Sequence, residues 1–140
     1  MLKGVFLKSL IFISIVLTLN LFGAENYLRE GIVAYNAKSY SKAKFFFEKA
    51  ISEEQSANAA YMLGKMYLNG EGMSIDNHKA IQFFEFASEG GNIPSGCYLS
   101  EAYMNSKTNT TYIANGLMKG LKQKLPHCQK VLEQYFAYKF

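Results

Sequence analysis

The sequence predicts an all-α chain, an α/α solenoid of antiparallel helix hairpins about three and a half repeats long. Three observations carry that expectation. Apolar residues recur at three- and four-residue intervals, Tyr40, Ala43, Phe46, Phe47 and Ala50 in one stripe and Ala80, Phe83, Phe84 and Ala87 in another; this spacing lines one face of a helix. Similar segments also return at a fixed interval: "AAYMLGKMYLNG" (59–70) aligns with "SGCYLSEAYMNS" (95–106), placing Leu63 on Leu99, Tyr67 on Tyr103 and Asn69 on Asn105, each 36 residues further on. Such a period is the signature of stacked repeats. Finally, no stretch sustains the two-residue alternation of a strand.

From the N-terminus, residues 1–24 stand apart. Lys3 and Lys8 are the only charges before Glu25, the run from Ser9 to Phe22 is apolar except for Ser14, Thr18 and Asn20, and small Gly23 and Ala24 close it. That layout predicts a secretory signal peptide cleaved after Ala24. A retained membrane anchor is the alternative, because 5–22 is nearly long enough to span a bilayer. Either way residues 25–140, the repeat domain, are expected to leave the cytoplasm.

Within that domain, helices are expected over 26–37, 40–53, 57–69, 77–89, 93–105, 110–122 and 126–138, paired as hairpins. The first pair is a faint copy of the second: Gly31 and Ala43 precede a run ending at Ala50 as Gly64 and Ala80 precede one ending at Ala87. Ser39 falls in the turn between 26–37 and 40–53, where serine commonly caps a helix. Between the third and fourth helices, Gly70 and Gly72 can take positive φ and reverse the chain, with Met73 or Ile75 plugging the apolar gap beneath. Asp76 then precedes a new stripe as an N-cap. Further breaks fall at 90–92 and 107–111, and "LPHCQKVLEQYF" opens a last half-unit with Pro126 on Pro94, Val131 on Leu99 and Tyr135 on Tyr103. Gly64 lies inside a helix, where glycine costs about 1 kcal/mol relative to alanine, so it calls for a packing reason. Ala59, Gly64 and Ala80 let helices approach, and Leu63, Tyr67 and Phe84 fill the space between.

Ten tyrosines and eleven phenylalanines supply area for a sizeable core. The formal charge of +4 falls to +2 without the leading segment, which holds two lysines and no acid. Nucleic acid is therefore not an expected partner. Charge is unevenly placed, since residues 107–140 carry six lysines against Glu133, a face suited to solvent, an acidic partner or anionic lipid.

Residues 59–92 closely resemble the Sel1-like repeat, a relative of the tetratricopeptide repeat, through Ala59, Leu63, Gly64, Tyr67, Gly70, Gly72, Met73, Asp76, Lys79, Ala80, Phe83, Phe84, Ala87 and Gly90. On either side the likeness thins: 26–57 is closer to a plain tetratricopeptide hairpin, and 93–138 has Ser100 for the repeat's glycine and "SKTNTT" for its GxG loop. Export and cysteines make the chain similar to the exported cysteine-rich Sel1-repeat proteins of bacteria, whose hairpins are stapled between their two helices. Here Cys97 and Cys128 lie instead in successive first helices. An even count and an oxidising compartment favour a bond between them; two separately buried thiols are the alternative.

The resemblance also implies a possible association with β-lactam binding or weak hydrolysis, as in a β-lactamase. Ser39-Tyr40-Ser41-Lys42 fits S-x-x-K, but the companion S-D-N and K-T-G elements are matched only by Ser56-Ala57-Asn58 and Lys107-Thr108-Asn109, so no catalytic residue is assigned. No cofactor or metal is expected either. His78, His127, Cys97 and Cys128 have no zinc-ligand spacing, and His127 and Cys128 point to different sides of one helix. What remains is shape: stacked hairpins present their first helices as an inner face that binds peptide or protein partners. Tyr61, Lys65 and Leu68, with their counterparts Cys97, Glu101 and Met104 one period on, are the expected contact residues. Packing against neighbouring units is the alternative role for them. The sequence thus reads as an interaction module in the periplasm or outside the cell, reaching a membrane only through an uncleaved signal segment.

Overall fold

The computed structural model describes residues 27–107, 117–118 and 120–139, and every regular element among them is helical. Helix α1 spans 27–36, α2 Tyr40–Glu54, α3 Ala57–Asn69, α4 Asn77–Glu89 and α5 Ser95–Asn105. Helix α6 is represented by 117–118 and 120–122, and α7 runs over Pro126–Lys139. Every described end falls within two residues of its sequence expectation. The expected signal segment 1–24 and the 110–116 part of the sixth helix lie outside the described residues.

Local chemistry explains the boundaries. Ser56 caps α3 by accepting from the Ala59 N–H at 3.3 Å, and Asp76 caps α4 by accepting from Lys79 N–H at 3.0 Å. Ser39 occupies the N-cap place of α2 without capping it: its backbone sits at φ −82°, ψ 65° and its side chain makes no cap hydrogen bond. Helix α5 begins two residues later than expected. The Asn92 side chain accepts from Ser95 N–H at 2.9 Å and its carbonyl accepts from Ser95 Oγ, so the chain is still turning through Ile93. Pro94, with no N–H to satisfy, suits the entry.

The loop between α3 and α4 turns on two glycines in the left-handed region, Gly70 at φ 71° and Gly72 at φ 74°. The Gly70 N–H closes α3 on the Met66 carbonyl. A side chain on Gly72 would collide with Tyr40 at the start of α2, so this loop lies directly on the preceding hairpin. Met73 packs against the core, whereas Ile75 is 65% exposed. Met73 alone takes the plugging role offered to either residue, because the turn directs Ile75 outward.

Two of the hairpins share one packing device, a first-helix glycine beneath a second-helix phenylalanine. A Cβ on Gly31 would stand 2.5 Å from the Phe47 ring, and one on Gly64 2.6 Å from the Phe84 ring. Both rings are fully buried, and burying a phenylalanine is worth about 1.5–3 kcal/mol. This close approach is the reason for glycine in mid-helix. One period on, Ser100 and Gly120 hold those places, and a Cβ on Gly120 would meet both sulfurs of the Cys97–Cys128 disulfide. The cystine thus fills the space that a phenylalanine occupies in the first two hairpins.

Core residues fall into two clusters. Ala34, Ala43, Phe47, Ala50, Ala59, Leu63 and Met66 join α1, α2 and α3, while Tyr67, Ala80, Phe84, Leu99, Tyr103 and Val131 join α3, α4, α5 and α7. Met73 and Phe83 border both, which makes the core continuous along the stack. Ala87 is fully buried as well, and a Cβ on Gly90 would stand 2.6 Å from the Cβ of Ala57. Contacts of α3 with α5 and of α5 with α7 set these first helices side by side. No described helix is long and apolar enough to cross a membrane.

Candidate functional site

The row of first helices carries a strip of partly exposed rings. Tyr35 comes from the end of α1, Tyr61 from α3, Tyr98 from α5 and His127 from the first turn of α7. Tyr61 meets Tyr98 edge-on, with centroids 5.4 Å apart, and the His127 ring stacks on Tyr98 at 3.7 Å and 14°. Phe84, fully buried below, contacts both tyrosines. The strip is therefore supported by the core. Aromatic side chains placed this way offer large contact area at small entropic cost.

Lys65 sits at the middle of the strip. Its Nζ lies 6.0 Å from the Tyr35 ring centroid, 5.7 Å from that of Tyr61 and 5.8 Å from that of Tyr98, within the range of cation–π attraction. Three successive first helices thus supply one ammonium's surroundings. Two carboxylates meet rings of the strip. Glu71, from the glycine loop, accepts the Tyr35 hydroxyl at 2.8 Å, and Glu101 Oε2 stands 3.0 Å from His127 Nε2, close but without hydrogen-bond alignment. The Tyr35 and Tyr61 phenols are both held well above the usual tyrosine range. Burial is the main cause in each case, helped at Tyr35 by the hydrogen bond to Glu71 and at Tyr61 by hydrogen bonding with Tyr98. Both stay neutral at physiological pH.

Of the contact residues expected from sequence, Tyr61, Lys65 and Glu101 are in this arrangement. Leu68 is only 6% exposed and belongs to the core, because helix α3 turns it under the neighbouring hairpin. Met104 is half-buried against the same core. Tyr35, Tyr98 and His127 escaped the sequence reading. A strict 36-residue step from Tyr61 lands on Cys97, whose side chain turns inward to the disulfide, so the exposed ring in α5 is displaced by one residue to Tyr98. His127 and Cys128 do point to different sides, one to Tyr98 and the other to Cys97.

The acyl-serine motif does not assemble. Ser39 is exposed, and Lys42 Nζ lies 5.7 Å over the Phe46 ring; among the described residues no hydrogen bond joins Ser39 to Lys42. His78 is exposed on α4. Among the described residues no three His, Cys, Asp or Glu side chains converge as metal ligands would.

Stacked antiparallel hairpins, glycine-on-phenylalanine packing and a side-by-side row of first helices define a helical-repeat protein. The family model of the Sel1 repeat matches residues 29–54 and 57–92. The chain thus carries two Sel1 repeats, and repeats of this kind generally mediate protein–protein interaction. The matched residues end where Ser100 and Gly120 begin to replace the glycine–phenylalanine pair. No curated protein and no solved structure matches the chain.

Proposed function

We propose that this chain is an exported scaffold that holds a protein partner on its first-helix face and performs no catalysis of its own. The observation that carries the reading is the strip Tyr35–Lys65–Tyr61–Tyr98–His127, contributed by four different elements and supported from beneath by Phe84. A surface built only for solubility has no need of rings aligned across successive repeats, while aromatic side chains around a cation are common anchors of interfaces. The Cys97–Cys128 disulfide supports export, since such bonds persist in oxidising compartments. Residues 1–24 would act as the signal.

A photo-crosslinking residue at position 61, expressed in the native envelope, tests this. Specific protein adducts are expected there and not from position 52, on the exposed side of α2. Equal adducts from both positions, or none from position 61, would remove the proposal.

A further inference from the structure

We infer that the partner segment is an acidic peptide, whose Asp or Glu side-chain carboxylate seats on Lys65 while its backbone runs over Tyr61 and Tyr98. The inference rests on the first-helix face being the binding face, and it adds the chemistry of what binds.

Charge complementarity is the ground. Lys65 is half-buried, yet among the described residues it makes no ion pair, and its ammonium lies over the rings of three tyrosines. Ring faces attract a cation but leave its N–H donors without acceptors. The carboxylates bordering the strip are both turned to other groups: Glu71 receives the Tyr35 hydroxyl, and Glu101 faces His127. Lys42, Lys122 and Lys130 likewise make no ion pair among the described residues but stand exposed to solvent. Lys44, Lys49 and Lys79 each have an acid on their own helix or its cap, at 3.7, 2.9 and 3.8 Å respectively. Lys65 is thus a cation held in place on an aromatic floor with its counter-charge still to come. An arriving carboxylate would accept from the ammonium and, beside it, from the Tyr61 or Tyr98 hydroxyl. A basic segment would meet repulsion at the same point, and an amide would forgo the charge-assisted bond.

Three fluorescein-labelled octapeptide pools, read by anisotropy against the purified full chain with its disulfide intact, test this. The first is C-terminally amidated and half Asp and Glu; the second is the same with Asn and Gln in their place; the third is neutral in its side chains with a free C-terminal carboxylate. The acidic pool is expected to bind about tenfold more tightly than either other pool, the scale of one charge-assisted hydrogen bond. Lys65→Met should erase that preference and Lys65→Arg should keep most of it, with thermal melts of both variants matching the parent. Equal binding of acidic and amide pools, tight binding of the free-carboxylate pool, or an unchanged preference in Lys65→Met would each overturn the inference. Adducts from position 61 alongside any of those results would leave the binding face standing and remove only its acidic preference. Absence of adducts together with absence of binding would remove both.

Discussion

The Tyr35 hydroxyl donates to Glu71 Oε2 at 2.8 Å across 36 residues of chain, tying the last turn of α1 to the glycine loop of the next hairpin. The bond explains why a glutamate stands between Gly70 and Gly72. The two glycines reverse the chain and let it lie on Tyr40, and the glutamate between them reaches to the previous unit. Removing the donor should therefore loosen the joint between hairpins. Tyr35→Phe is expected to lose about 1 kcal/mol in urea unfolding, because the pair is partly solvated. In the double variant with Glu71→Gln the losses should fall short of their sum; strict additivity would mean that the bond carries no coupling.

Gly64→Ala should destabilise, although alanine favours a helix by about 1 kcal/mol. The added methyl would stand 2.6 Å from a fully buried Phe84 ring, and overpacking of this kind costs about 1–3 kcal/mol. The midpoint of chemical unfolding should fall. A rise would show that the ring can move aside.

Reduction of Cys97–Cys128, which are 31 residues apart, should lower stability by about 3–4 kcal/mol in the loop-entropy account. Urea curves with and without a thiol reductant measure it. Gly120→Ala should hinder closure of the bond, since its methyl would meet both sulfurs, and free thiols should then be titratable in part of the purified protein.

Cap variants should separate in a way the residue types alone do not suggest. Asp76→Ala loses an acceptor of the Lys79 N–H and should cost about 1 kcal/mol. Ser39→Ala removes a side chain that caps nothing and should stay within about 0.5 kcal/mol of the parent. The same variant bears on lactam chemistry. Chromogenic lactam turnover is expected to be absent with either protein, and turnover abolished by Ser39→Ala would restore the acyl-serine reading.

Alkaline pH should destabilise the protein through two partly buried phenols. The phenols of Tyr35 and Tyr61 titrate above their unfolded value near 10, so above that pH the unfolded chain holds fewer protons than the folded one and stability falls as pH rises. Below pH about 9 their contribution is fully present. Thermal melts should be flat between neutrality and that point and drop beyond it, with a shallower drop in Tyr61→Phe.

Helix positions and hairpin pairing followed from the sequence alone because they depend on local matters: apolar spacing, Asp76 ahead of a stripe, and glycines where φ must be positive. The sequence also marked Gly64 as a point of close helix approach and Phe84 as a residue filling the space between helices. What the period could not reveal is where it is broken. Cys97, in the place of Tyr61, is offered by the period as a contact residue, but the fold turns it inward to Cys128 and brings Tyr98 up beside it. Likewise the cystine on Gly120, Glu71 on Tyr35 and His127 on Tyr98 join residues whose neighbourhood is set by the stacking of whole hairpins, at separations where no sequence pattern records which side chains meet. Chain chemistry decided the elements; the charge left open on Lys65 was decided only when three helices delivered their tyrosines to it.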